Sequence, residues 1–257
     1  MPDYYARIFL LSHMRAFTSL AGHILGSHPR INGYFEMHIS YEDATALEKQ
    51  LEVFRQYETP KENSQYLFDK LLHNDYRLNP ERLGPVDIRI LVSLLEPEHT
   101  IKSIVDLFAS KPVEDLYASP VEAASYYTER VKTLAGFCRS VNVPYYYYDA
   151  ELFQTAPGTL LGKLTDWLEL DSPLSERYQL FSQTGKAGKG DSSEFIRSGK
   201  IEKTIMDYSH VRIPDDALRR AREVYRDCRA TMIARSADAV VMQADNSEKT
   251  GSPPLRG

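Results

Sequence analysis

The chain has 257 residues, 42% of them hydrophobic and 26% charged, with a formal net charge of −5. That is the composition of a globular protein with room for one large domain or two small ones. A mildly acidic chain without a basic block argues against general nucleic-acid binding, and no stretch approaches the roughly 18 apolar residues of a membrane span. The two cysteines, Cys138 and Cys228, lie in no C-x-x-C and suggest neither a disulfide framework nor a zinc knuckle.

The opening residues lack a basic segment followed by an apolar one, so a cytoplasmic location is expected. The first apolar run, 8–11, reads as a buried strand, and Leu20, Ala21, Ile24 and Leu25 after it form a helical face that Gly26 and Pro29 bring to a stop. Segment 41–76 is polar and helix-prone and carries no strand signal, so 41–80 reads as a helical insertion. The run 88–92 is a second strand; Pro97 suits the first turn of the helix that follows, with Ile101, Ile104, Val105 and Phe108 on one face. Ser119-Pro120-Val121-Glu122 has the form of a capping box, and Ala124, Tyr127, Val131, Leu134 and Cys138 continue it as a helix. The run 143–148 reads as a third strand in spite of Pro144. Two amphipathic stretches follow, Leu160 to Leu168 and Leu218 to Cys228, and 244–257 has the composition of a disordered tail. Strands alternating with helices predict an α/β fold, a mostly parallel sheet flanked by helices, as a single domain over 1–243.

In such sheets ligands bind beyond the carboxyl ends of the strands, which directs attention to the loop from Ser12 to Ser19. Arg15, Thr18 and Ser19 stand there at a helix start, where free amide groups and added donors suit a phosphate; simple N-capping by Thr18 is the plainer alternative. The usual nucleotide fingerprints are missing. Gly-Lys occurs at Gly162, Gly185, Gly188 and Gly199, never followed by the Ser or Thr of a Walker loop, and no three-glycine dinucleotide loop follows a strand. His13, His23 and His28 do not share a helix face, and no metal site is predicted.

Residues 8–38, IFLLSHMRAFTSLAGHILGSHPRINGYFEMH, resemble the opening of sulfotransferases that use 3′-phosphoadenosine 5′-phosphosulfate (PAPS). In that family a strand leads into [KR]-S-G-[ST]-T, a helix ends near G-x-H-P, and a second strand carries the acid or base. Arg15, Thr18, Ser19, Gly26, His28, Pro29 and Glu36 fall at matching places. Residues 90–104 resemble the strand and helix that hold the 3′-phosphate, with Pro97 and Ser103 matching, and 184–201 resemble a glycine-rich segment that closes over the nucleotide. With Tyr126, Tyr127 and Arg130 on one helix and Tyr148-Asp149 at a strand end, the resemblance covers most of 5–205. Two positions depart from it: Ala16-Phe17 replaces the loop's Ser-Gly, and Leu95 replaces the 3′-phosphate arginine.

The resemblance implies a P-loop-like sulfotransferase fold, PAPS as co-substrate, no metal, and transfer of a sulfuryl group to a hydroxyl or amine of a small molecule. Glu36 is then the general base, and Arg15 neutralises charge on the leaving phosphate; His38, two residues on and so expected on the same side of a strand as Glu36, is the reserve base. Ala16, Phe17, Thr18, Ser19, Ser103, Gly185, Lys186 and Lys189 join Arg15 at the nucleotide, Gly185, Lys186 and Lys189 as a basic flap. The insertion at 41–80 forms the acceptor-side wall, and a homo-oligomer is compatible with the chain. Phe17 and Leu95 leave two alternatives open: an enzyme of the same scaffold acting on another anionic or acyl substrate, and a catalytically silent binding protein.

Overall fold

The computed structural model describes residues 5–113, 115–186, 195–203 and 206–243; the expected tail at 244–257 and Lys189 lie outside them. Six strands form one all-parallel sheet: β1 (Ala6–Leu11), β2 (Ile31–Asn32), β3 (Tyr66–Leu71), β4 (Ile88–Leu94), β5 (Tyr145–Asp149) and β6 (Asp238–Val240), in the spatial order β2-β3-β1-β4-β5-β6. The helices are α1 (Thr18–Ser27), α2 (Thr45–Arg55), α3 (Pro97–Ala109), α4 (Pro120–Ser140), α5 (Leu152–Thr155), α6 (Pro157–Trp167) and α7 (Asp215–Arg235).

Pleat alternation divides the core in two. Phe9 and Leu11 of β1 join Leu67 and Leu71 of β3, Ile90 and Val92 of β4, and the apolar faces of α2, α3, α4 and α7. Ile8 and Leu10 point the other way, toward Ala21, Ile24 and Leu25 of α1 and Leu160, Leu161 and Leu164 of α6. Both faces of the sheet are covered, as a parallel sheet requires. The chain leaves β1 toward β2 on one side and later crosses to β4 on the other, so the carboxyl end of β1 is a topological switch point.

The expected α/β class and the strands at 8–11 and 88–92 are present, and Pro144 stands just outside β5. Three expectations need correction. Segment 41–80 is not a purely helical insertion: it contributes α2, but also β3, which hydrogen-bonds between β1 and β2 in the body of the sheet. Asp69 and Lys70 interrupt the apolar pattern of YLFDKL and hid the strand. Glu36 is not on a strand, because β2 ends at Asn32 and the chain continues as a loop. Ser119 occupies the N-cap of α4 without making a side-chain cap bond, so that helix starts on Pro120 and its packing alone. The loop after β2 lies close against α1: a Cβ at Gly22 would meet the Tyr34 carbonyl oxygen, and only glycine admits that approach.

Candidate active site

The loop between β1 and α1 is anchored by buried polar contacts rather than by glycines. Leu95 donates its amide to Nε2 of His13 (3.1 Å), and His13 faces the Met14 carbonyl with Nδ1 (2.9 Å). The proton therefore sits on Nδ1, and burial lowers the pKa of His13 to about 4, keeping the ring neutral. The Ser12 hydroxyl donates to the Ser93 carbonyl and accepts from the Ser93 hydroxyl, both at 2.9 Å, tying the ends of β1 and β4. Arg15 and Phe17 both take left-handed backbone conformations, with φ of 63° and 53°. Phe17, standing where the resembling family has glycine, turns its ring toward Phe153 at 6.5 Å and packs on the core, while Ala16 is buried. The bulky ring thus packs on the core, and the start of α1, like that of any helix, leaves its first amides without intrahelical partners.

Arg15 donates from Nε to Ser103 Oγ at 2.9 Å, joining two predicted residues from α3 and the β1–α1 loop. Ser103 also contacts the Tyr208 hydroxyl at 3.0 Å. Thr18 is buried in the first turn of α1, and Ser19 receives a hydrogen bond at 3.0 Å from Nζ of Lys70, a buried lysine at the end of β3. Sequence reasoning missed Lys70 together with its strand.

Glu36 lies buried in the loop after β2. Its Oε1 has no hydrogen-bond partner among the described residues and stands 3.9 Å from His38 Nε2 and 4.0 Å from His73 Nε2. His38 reaches this place not along a strand but through a left-handed turn at φ 58°. His73, just beyond β3, was not anticipated; burial lowers its pKa. The His73 ring adjoins Tyr126 (5.8 Å), whose hydroxyl accepts from the Met14 amide (2.9 Å) and donates to the Leu72 carbonyl (2.8 Å). Tyr126 so connects the Glu36 cluster to the residue beside Arg15.

Adjacent residues of β3 serve the two halves of the site on opposite faces of the strand. While Lys70 meets Ser19, Asp69 accepts from the Met37 amide (3.0 Å), its neighbour's amide (2.7 Å) and the Tyr41 hydroxyl (2.6 Å), fastening the loop that carries Glu36. Burial pushes the Asp69 carboxyl up to about 7 against these donors, and Glu36 adds to the rise. Folding therefore takes up a proton. The stability supplied by the neutral form is full below about pH 4 and is lost as pH rises through about 7. Between pH 5 and 8 the wild type should lose more unfolding free energy than Asp69→Asn, as urea titrations at both pH values would measure. Equal losses would show that Asp69 does not titrate in that window; Glu151, also raised to about 7, is common to both proteins and cancels.

The expected flap is only partly placed. Gly185 has φ 75° beneath the Arg197 guanidinium, and Thr184 binds His23 Nε2 at 2.8 Å, docking this segment on α1. Lys186 is exposed, and among the described residues no hydrogen bond or ion pair joins its side chain to the β1–α1 loop.

No family model matches the chain, and no curated protein matches it. Among solved structures it is similar to a sulfotransferase domain from the curacin biosynthetic pathway, at 15% identity and a TM-score of 0.57 over 87% of this chain and 97% of that one. The fold is that of a sulfotransferase domain. A second such domain, from the olefin synthase of Synechococcus PCC 7002, is similar at 14% identity and a TM-score of 0.54, over 88% of this chain and 97% of that one. Within the sulfotransferase fold the residues present fit the phosphosulfate end of a nucleotide donor: a helix start, Arg15, Ser19 and Lys70. Position 95 does not fit a 3′-phosphate: the Leu95 side chain is buried in the core where the resemblance places an arginine, and Glu96 beside it is acidic.

Proposed function

We propose that this protein is a sulfotransferase that moves a sulfuryl group from an adenosine phosphosulfate, with PAPS the donor the sequence points to, onto a hydroxyl or amine of a small molecule. The observation that carries this reading is Glu36: a buried carboxylate with one oxygen lacking a hydrogen-bond partner among the described residues, flanked by two histidines, on the same carboxyl end of the sheet as a cationic helix start. One similar domain comes from a biosynthetic pathway, which is in keeping with a small-molecule acceptor.

A bound phosphosulfate supplies an activated sulfuryl group and a phosphate leaving group. Glu36 takes the acceptor's proton as its oxygen or nitrogen closes on sulfur, and desolvation leaves that carboxylate few competing partners. His73, kept neutral by burial, and the half-exposed His38 stand within 4.0 Å to receive the proton and pass it to water. Arg15 and Lys70 hold positive charge at the start of α1, where the leaving oxygen gains negative charge, an electrostatic role whose value rests on being pre-positioned.

The test is thermal unfolding with 3′-phosphoadenosine 5′-phosphate (PAP) and with adenosine 5′-phosphate (AMP). Ligand at about 100 times its dissociation constant adds about 2.7 kcal/mol, a rise of roughly 5 to 10 °C for a chain of this size. No rise with either nucleotide at millimolar concentration would overturn the reading.

A further inference from the structure

The turn from β4 into α3 adjoins the anion-binding loop through the Arg15–Ser103 and Leu95–His13 hydrogen bonds, so it is the surface a nucleotide's ribose end would meet. A phosphate there needs free amides or unmatched cations. Among the described residues, carboxylates occupy the first amides of α3 and pair the cations that α3 and α7 bring to this turn. Glu96, N-cap of α3, accepts from the amides of Glu98 (2.9 Å) and His99 (2.5 Å), so a carboxylate of the protein already sits where an anion would dock on that helix. The Glu96 amide is itself taken by Glu151 Oε1 at 2.8 Å. Glu151 is buried in most of its side chain, and its other oxygen has no hydrogen-bond partner among the described residues. The neighbouring cations have carboxylates of their own: Lys102 and Arg222 share Glu98 at 2.7 and 2.5 Å, and Arg229 pairs with Asp149 at 2.5 Å. Leu95 adds no charge, its side chain buried and its carbonyl accepting from the Tyr127 hydroxyl.

We infer that this protein recognises its sulfuryl donor by the 5′ end alone, and that adenosine 5′-phosphosulfate, which lacks the 3′-phosphate, serves at least as well as PAPS. The inference rests on the sulfotransferase reading above. In the reaction a bond forms between the acceptor oxygen or nitrogen and sulfur, the bond from sulfur to the phosphate oxygen breaks with its electron pair going to AMP, and the acceptor's proton goes to Glu36. A second phosphate at the ribose would meet the Glu96 carboxylate, the buried Glu151 carboxyl beside it, and no unshared cation of α3.

Calorimetric titration of the wild-type protein with AMP and with PAP separates the possibilities. The expected result is an AMP dissociation constant equal to that of PAP within about threefold, or lower. PAP bound tenfold or more tightly than AMP would overturn the inference and leave the sulfotransferase reading standing; no binding of either would overturn both. Glu96→Gln combined with Glu151→Gln removes negative charge while keeping one acceptor oxygen at each position, enough for the Glu96 amide and for one of the two amides capped at α3, and should shift the ratio of the two constants about tenfold in favour of PAP. An unchanged ratio would overturn the assignment of donor choice to these carboxylates.

Discussion

Glu36→Gln is expected to lower kcat by about 10²-fold or more while leaving nucleotide affinity nearly unchanged. The substitution keeps the shape of the side chain and its place in the loop, which is held from elsewhere: Asp69 takes the Met37 amide, and the approach of Tyr34 to Gly22 fixes the preceding turn. What it removes is the negative charge of an oxygen that stands between His38 and His73 and has no hydrogen-bond partner among the described residues. Nucleotide binding draws on α1, Arg15, Ser19 and Lys70, none of which the substitution alters. The measurement is single-turnover sulfuryl transfer to a panel of alcohols and amines, alongside AMP titration of both proteins. A kcat within threefold of wild type would remove Glu36 from the mechanism and pass the role of base to His73 or His38, each then to be replaced by Gln in turn.

The parts of the fold that could be read from the sequence are those whose physics is local. The helix at 120–140 follows from apolar spacing and Pro at its first turn, and the strands at 8–11 and 88–92 from apolar runs, the second broken only by Arg89. β3 was not legible because its carboxyl end carries Asp69 and Lys70, both wholly buried, in place of the apolar residues a buried strand ordinarily shows. The residues that concealed the strand are those that hold the two halves of the site. Two adjacent opposite charges inside an otherwise apolar run, YLFDKLL, were the available signal. β6 is three residues long at the edge of the sheet and offers no pattern. Glu36 was placed by resemblance near a strand end. It is near β2, but in a loop whose left-handed turn at His38 brings the two side chains together without pleating. Arg15 and Ser103, 88 positions apart, were each legible, whereas their hydrogen bond follows only from the order in which β1 and β4 pair. His73 carried no sequence signal: it acquires its position from β3 and from Tyr126 on α4.

Arg130→Met should cost about 2 to 4 kcal/mol of stability, a large share of the 5 to 15 kcal/mol of an ordinary domain. Arg130 is buried on α4 and spends its guanidinium on backbone: Nε donates to the Ser12 carbonyl at 2.8 Å, one terminal nitrogen to that of Leu71 at 2.5 Å, and the other to His73 and to Asn74 Oδ1 at 3.2 and 3.1 Å. One planar group thus clips the ends of β1 and β3 together beneath the active-site loops, a geometry that a lysine ammonium cannot reproduce. Two effects oppose each other in the methionine variant. Burial lowers the pKa of Arg130 to about 10, so removing the charge recovers some desolvation cost. Against that, buried carbonyl oxygens at Ser12 and Leu71 lose charge-assisted donors, at about 1 to 3 kcal/mol each. The second effect is larger because methionine matches the stem of arginine but brings no donor. Thermal unfolding should therefore show the midpoint falling by roughly 5 to 15 °C, with Arg130→Lys lying between variant and wild type. A methionine variant as stable as the wild type would show that the strand ends hold their register without the clip.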